Sequence, residues 1–413
     1  MIGQICLFED QYVRRLLPLA YTRPVYDLRC GMLTLGEKLR RRYGIGKFRL
    51  HARAYLADAL KERYPGVPVN AAPDGGCLYL NGRLLASPEL LKAIPADGPD
   101  ALYVDGDVLL AARTGGGGGF AAGMPEALTP GAFPGVPQTG IRAALVSWPW
   151  DLVMNNGKEI VADSTLLAPA GEKIRGKVYP GAHLVNPGNI VIGEGTNIKP
   201  GVVLDGENGP VWIGKNVTVF PNAVIEGPAF VGDRTLIKIG AKIYENTSIG
   251  EVCKVGGEVE GAIIHAYSNK QHDGFLGHAY LGMWVNLGAD TNNSDLKNNY
   301  GNVKMVIDGA TVDTGSMFMG LVMGDHSKSS INSMFNTGTV VGVSSNVFGS
   351  GFPPKSVPSF AWGGAEGMKT YDPERALEVA RRVMGRRKIA LSAAEEKLLR
   401  TVFDMTKNER GTL

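Results

Sequence analysis

Between residues 213 and 255 an apolar side chain recurs at every sixth position: Ile213, Val219, Ile225, Val231, Ile237, Ile243, Ile249 and Val255. Every third one is followed by glycine (Gly214, Gly232, Gly250), which lays a period of eighteen over the six. A helix repeats near 3.6 residues and a strand at 2, so neither sustains this pattern. A three-sided solenoid does: each hexad forms one flat face with one inward apolar residue, and three hexads close a coil. The spacing therefore predicts a parallel β-helix of the hexapeptide type. Val178, Leu184 and Ile190 extend it backwards, and a register shift gives Ile192, Ile198 and Leu204. After Val255 the step returns in pieces: Leu281 and Leu287, then Val306, Val312 and Phe318, then Val341 and Val347. The predicted solenoid runs from roughly 175 to 358, with loop-like interruptions near 257–276 and 290–303. Loops leaving a rigid coil are where sites tend to be built.

Outside the repeat the pattern changes. Ile2 to Phe8 and Cys77 to Leu80 read as strands, while Leu33 to Tyr43 and Tyr55 to Tyr64 have helical spacing. Ser87-Pro88-Glu89 is a helix start. Alternating strands and helices predict an α/β layer domain over 1–165. The run Gly115 to Gly119 reads as a loop, or as a phosphate cradle without the lysine and serine of a P-loop. At the other end, Asp372-Pro373 and the capping box Ser392-x-x-Glu395 open two amphipathic helices in a tail over 361–413. The basic cluster Arg381, Arg382, Arg386, Arg387 and Lys388 is a solvated face, or a contact to a ligand phosphate or a neighbouring subunit.

A chain of 413 residues fits two or three units. A net charge of +3 gives no reason to expect a nucleic-acid or membrane partner. The four cysteines match neither a metal spacing nor a disulfide framework, and no apolar run approaches a membrane span, so a cytoplasmic location is expected.

Candidate chemistry concentrates after the first interruption. His278 lies between glycine and alanine in Gly277-His278-Ala279-Tyr280-Leu281-Gly282, ahead of Val285-Asn286-Leu287-Gly288-Ala289 and the polar stretch Asn292 to Gly301. An imidazole of ordinary basicity suits removing a proton from an attacking amine. The alternative is a corner histidine that only satisfies a local hydrogen bond.

These two stretches resemble the acetyltransferase half of the GlmU family, in which a Gly-His motif supplies the base and a Val-Asn-Ile-Gly-Ala-Gly stretch follows. The order of domains is similar as well, most closely to a variant bacterial GlmU-like branch. The resemblance implies an α/β nucleotidyltransferase-like domain (1–165), a left-handed parallel β-helix (166–360) and a C-terminal α-helical tail (361–413). It implies a transferase of UDP-N-acetylglucosamine synthesis that uses acetyl-CoA to acetylate an amino-sugar 1-phosphate. Resemblance makes His278 the base, sets Tyr280 and Asn286 in the amino-sugar pocket, and offers Lys238 to the sugar phosphate. Ala289 would present backbone to the thioester. Asn299-Tyr300-Gly301 with Lys304 is similar to the family's Asn-Tyr-Asp-Gly followed by lysine, without the aspartate and at longer spacing. Lys270 is the candidate for a family lysine near the histidine. Hexapeptide β-helix proteins of this type imply a homotrimer with sites between subunits.

The front domain departs from the family. Leu17-Pro18-Leu19-Ala20-Tyr21-Thr22-Arg23-Pro24 resembles a nucleotidyltransferase stretch, yet Phe8-Glu9-Asp10-Gln11 stands where a glycine-rich phosphate loop belongs. Arg83 stands at the metal-binding aspartate position, and an arginine cannot ligate Mg2+. Asp107 is the candidate substitute, Arg14, Arg15 and Arg23 are candidate phosphate contacts for UTP, and binding without turnover is the other reading. Two further classes remain open: a zinc enzyme of the trimeric carbonic anhydrase type, drawing on His272, His278 and His326, and a non-catalytic sugar-nucleotide scaffold.

Overall fold

The structure, a computed structural model, describes residues 2–116, 120, 123–169 and 171–411. Gly117 to Gly119 of the glycine run lie outside the described residues. The chain divides into two compact units: residues 1–28, 33–148 and 392–401 form one, and 29–32, 149–391 and 402–413 form the other.

The first unit is built on a six-stranded sheet of β1 (Gln4–Phe8), β2 (Lys47–Leu50), β3 (Cys77–Asn81), β4 (Ala101–Asp105), β5 (Val108–Thr114) and β6 (Gln138–Gly140), in the order β2-β1-β3-β5-β4-β6. β1 runs parallel to β2 and β3, while β5 is antiparallel to β3 and β4. The central strands β1 and β3 are buried along their whole length, which is why they read as continuous apolar runs. Helix α1 (Leu35–Tyr43) starts at a capping box between Thr34 and Glu37, α2 spans Ala57–Arg63, and α3 (Pro88–Ala93) starts where Ser87 Oγ accepts from the Leu90 amide at 3.2 Å.

The second unit is a parallel β-helix of about ten turns. All eight residues of the six-step series are buried at its centre. The superperiod is its stacking: Ile213, Val231 and Ile249 align on one face, Val219, Ile237 and Val255 on another, and Ile225 and Ile243 on the third. Parallel ladders satisfy the backbone between coils, and the inward column excludes water. Helix α4 (Pro149–Leu166) packs on this unit, where Asn156 Nδ2 donates to the Asn246 carbonyl at 2.7 Å. A Cβ on Gly157 would stand 1.7 Å from Asn246 Oδ1, so that contact requires glycine. Helix α5 (Pro373–Gly385) is capped by Asp372 and buries Ala376, Leu377, Ala380 and Met384; α6 (Ala393–Met405) follows its own capping box. The buried Arg410 then fastens the tail end to the last coils through the Ser359 carbonyl.

Two expectations about the coil need correction. Residues 257–276 are not an interruption: strands at 258–260, 263–266, 269–270 and 275–277 carry the coil straight on. The rungs Val255 and Lys270 lie in register only fifteen residues apart, so this coil is shorter. The six-step series Val306, Val312 and Phe318 is not solenoid either. Val306 and Val312 belong to an antiparallel hairpin, Lys304–Ile307 against Ala310–Asp313, that leaves the coil, and Phe318 is exposed.

Candidate functional site

His278 occupies a corner between two faces of the coil, in the left-handed region (φ 41°). The same corner one coil earlier is Gly261, and Gly320 follows one rung later: the His278 amide donates to the Glu260 carbonyl, and the Gly320 amide to the His278 carbonyl, both at 2.9 Å. The imidazole uses the space that glycine leaves, since a Cβ on Gly261 would be 3.2 Å from both Nε2 and Cδ2. His278 Nδ1 lies 2.8 Å from Asp295 Oδ2, with side-chain exposures of 21% and 13%. A carboxylate at Nδ1 holds the proton there and leaves the Nε2 lone pair as the base. Phe318, on the chain returning from the hairpin, packs at a tilt of 33° against the ring, the centroids 5.2 Å apart. Glu260 is the second carboxylate nearby. Its burial pushes its pKa up, opposed by the imidazolium charge of His278 and reinforced by Asp295. The corner thus offers an oriented, partly accessible base with two carboxylates able to stabilise its protonated form.

Asp295 and Phe318 were not singled out from sequence. The signal for Asp295 was its offset: the Phe275 amide donates to Asn292 Oδ1 one coil on, and the same offset of seventeen carries residue 278 to residue 295.

Other candidates lie elsewhere on the coil. Tyr280 is fully buried, and its hydroxyl accepts from the Arg29 amide at 2.9 Å and contacts His265 Nδ1 at 3.0 Å, so it packs inside the unit rather than lining a pocket. Asn286 stacks between Asn269 and Lys328 on a different face, and Asn269 Nδ2 donates to its Oδ1 at 3.2 Å. Lys238 reaches over Phe220, its Nζ 5.4 Å from the ring centroid. The Ala289 carbonyl accepts from the Asn332 amide. Asn299 is exposed and closes a local turn with Gly301, and Lys304 opens the hairpin. Lys270 points inward, 2% exposed, and donates to the His272 carbonyl at 2.7 Å; burial lowers its pKa to about 8. The zinc reading gains nothing within one chain: among the described residues no group of three or more His, Cys, Asp or Glu could hold a metal ion.

In the first unit Arg83 is 1% exposed and grips the fully buried Asp10 with two nitrogens, Nη2–Oδ2 at 2.5 Å and Nε–Oδ1 at 3.1 Å. Its Nη1 donates to the Val146 carbonyl. A guanidinium therefore neutralises the carboxylate in that pocket, and these residues do not fit Mg2+. Asp107 sits at the exposed turn between β4 and β5, where the Tyr12 hydroxyl donates to it and holds its pKa below the usual range. Arg15 lies over the Tyr12 ring at 4.1 Å; Arg14 is exposed and Arg23 is buried. Asp107, Tyr12 and Arg15 thus form a surface cluster around one turn.

Residues 5–170 match the family described as sugar nucleotidyl transferase. The bifunctional protein GlmU of Rippkaea orientalis is 33% identical over 28% of this chain and 24% of its own length. That of Acidithiobacillus ferrooxidans is 35% identical over 30% of this chain and 28% of its own. Parts of the chain are thus similar to GlmU proteins. It spans about a quarter of the length of these two relatives and 43% of the GlmU of Synechococcus elongatus. A Francisella novicida UDP-N-acetylglucosamine acyltransferase structure is 16% identical, over 57% of this chain and 89% of that one, with a TM-score of 0.29. In this chain the coil corner pairs His278 with Asp295, whereas the front pocket holds an arginine–aspartate pair. Among the described residues no helix is long and apolar enough to cross a membrane.

Proposed function

We propose that this chain is a cytoplasmic, acetyl-CoA-dependent N-acetyltransferase acting on an amino-sugar 1-phosphate of the glucosamine 1-phosphate kind, in UDP-sugar synthesis. The observation that carries the reading is the His278–Asp295 pair at a partly open corner of the coil. His278 Nε2 takes a proton from the neutral sugar amine as the nitrogen attacks the thioester carbonyl. The tetrahedral intermediate collapses with cleavage of the C–S bond, and the imidazolium returns the proton to the departing thiolate. Asp295 and Glu260 stabilise the imidazolium between these steps. Lys238, Asn286 and Ala289 lie on other parts of the coil, so contacts to the sugar phosphate and thioester would come from a neighbouring subunit of a homotrimer. The front domain is proposed to hold a UTP-type nucleotide without Mg2+-dependent turnover, because Arg83 already neutralises Asp10.

Thiol release from acetyl-CoA with glucosamine 1-phosphate tests the reading. His278→Ala is expected to lose about 10²–10⁴-fold in kcat/KM with folding retained. A rate near wild type refutes the assignment, and no turnover by the wild type with any amino-sugar phosphate favours the scaffold. Pyrophosphate release from UTP with Mg2+ and N-acetylglucosamine 1-phosphate is expected to stay at background, and light scattering should report three chains.

A further inference from the structure

A base that takes a proton from an amine can take one from water. Attack of water on an acetyl thioester forms a C–O bond, breaks the C–S bond and gives acetic acid and free thiol. The base would carry the proton from the water to the departing thiolate. Nothing in the His278–Asp295 pair itself favours nitrogen over oxygen, so the choice between transfer and hydrolysis is made by what surrounds it. Asp295 closes the Nδ1 edge of the ring, Gly261 underlies Nε2 and Cδ2, and Phe318 covers one face with its centroid 5.2 Å away. About one-fifth of the histidine side chain (21%) is left exposed.

Phe318 is not part of the repeat. The chain leaves the coil after Asp295 and comes back at Phe318, so one excursion, residues 296–317, separates the partner of the imidazole from its cover. The two ends of the excursion are tied together: Leu296 and Phe318 form an antiparallel bridge, and the Met319 amide donates to the Asp295 carbonyl at 2.8 Å. Its base is closed by the Val303 amide, which donates to the Ser316 carbonyl at 2.8 Å, and by the Thr314 amide, which donates to the Val303 carbonyl at 3.0 Å. Ser316 Oγ then accepts from the Phe318 amide at 3.2 Å. Val303, Met305 and Ile307 are buried, so the excursion carries apolar packing of its own and presents Phe318 from a fixed frame. The ring itself is 38% exposed and continues into Met317 (45%) and Met154 (41%), whose Sδ lies 3.9 Å from Ser316 Oγ. An apolar patch held open beside a base does little for the core; what it does at this place is keep water off the imidazole.

We propose that Phe318, delivered by the excursion 296–317, is a specificity-determining residue that excludes water from His278 and makes the corner selective for an amine acceptor over hydrolysis. The amine half of this statement rests on the acetyl-transfer reading; the exclusion of water does not.

Thiol release from acetyl-CoA by the full chain, with and without glucosamine 1-phosphate, tests it when N-acetyl product and acetate are both counted against thiol. The wild type is expected to release thiol only with the amine, one N-acetyl group for each thiol. Phe318→Ala, with its thermal midpoint retained, is expected to release thiol without amine at least about tenfold faster than the wild type, as acetate. Phe318→Leu keeps an apolar cover and should restore the wild-type partition. Phe318→Ala/His278→Ala should lose the gained hydrolysis by about 10²-fold. A ring that only packs would change the thermal midpoint or slow both routes together, and would leave the partition where it was. An unchanged partition in Phe318→Ala, or hydrolysis that survives the loss of His278, overturns the proposal. p-Nitrophenyl acetate repeats the comparison without CoA or amine. A wild type that acetylates no amino-sugar phosphate sinks the acetyl-transfer reading, yet His278-dependent ester hydrolysis gained in Phe318→Ala still upholds the exclusion of water. No gain with either donor overturns it.

Discussion

Replacing Asp295 by asparagine removes one charge from the His278 corner and little else. The two side chains meet at 2.8 Å, which puts their charge centres about 4 Å apart once the imidazole is protonated. At the effective dielectric of a protein surface that pairing is worth about 4 kcal/mol. Solvent reaches both groups (21% and 13% exposed), and asparagine retains an oxygen that can accept from Nδ1, so about half of the value is at stake. A loss of about 2 kcal/mol in the protonated state corresponds to roughly a 30-fold fall in kcat/KM. Glu260 remains and sets a floor under the loss. The assay is thiol release from acetyl-CoA across pH 5 to 9, with the thermal midpoint measured in parallel. Asp295→Asn should fold normally and fall by about 10- to 100-fold, because the imidazolium formed during the reaction has lost its partner. A fall of less than threefold would show that the aspartate only packs there.

Three other outcomes follow from the same geometry. Gly261→Ala puts a Cβ 3.2 Å from the imidazole at φ +53°, so it should cost about 1 kcal/mol in thermal stability and lower kcat/KM, while Gly46→Ala, with open space around it and no positive φ, should do neither. Lys270 has its pKa lowered to about 8 inside the coil; between there and its unfolded value near 10.5 the unfolded chain holds a proton that the folded chain lacks, so stability should rise with pH across that window by up to about 3 kcal/mol. Urea unfolding from pH 7 to 10.5 should show that rise in the wild type and less of it in Lys270→Met. Arg83→Ala strands the buried Asp10 and should destabilise the protein by about 3–5 kcal/mol in urea unfolding, whereas an effect under 1 kcal/mol would mean Asp10 is neutral in the fold.

The solenoid was legible where its coils are equal. Ile213 to Val255 obey one rule because each points into the same dry column, and a single polar residue there would be expensive. The reading failed where the next coil breaks that rule. Lys270 takes the inward rung beside Val255, fifteen residues on, and a lysine in an apolar column looks like a loop when only apolar spacing is counted. Val306, Val312 and Phe318 failed in the opposite sense: a six-residue step arose by coincidence in a hairpin whose alternation has period two. In the front domain the cap at Ser87 was readable because it is local chemistry, and Arg83 was identified as a departure. Its partner Asp10 was not, since a pairing seventy-three residues apart has no local signature.

His278 and Asp295 show what a solenoid adds to such local reading. Side chains in adjacent coils meet only if the intervening length is right, because a slip of one residue turns a side chain from one side of its strand to the other. From His278 to Asp295 the chain advances seventeen residues, the offset that also joins Phe275 to Asn292, and Gly277 meets Asn293 between them at an offset of sixteen. Asn293 fixes the alignment: its Oδ1 accepts from the Gly277 amide at 3.0 Å and its Nδ2 donates to the Gly277 carbonyl at 2.9 Å. That buried amide pins the residue before the histidine to the coil that carries the carboxylate. The small residues at this corner follow from the same construction. Gly261 below makes room for the ring, Gly277 beside it admits the Asp295 oxygen where a Cβ would stand 2.3 Å away, and Gly320 above lets the next strand pass within contact of Asn293. The catalytic geometry proposed here is therefore a consequence of coil length and of three missing side chains, which is why no single motif around His278 encodes it.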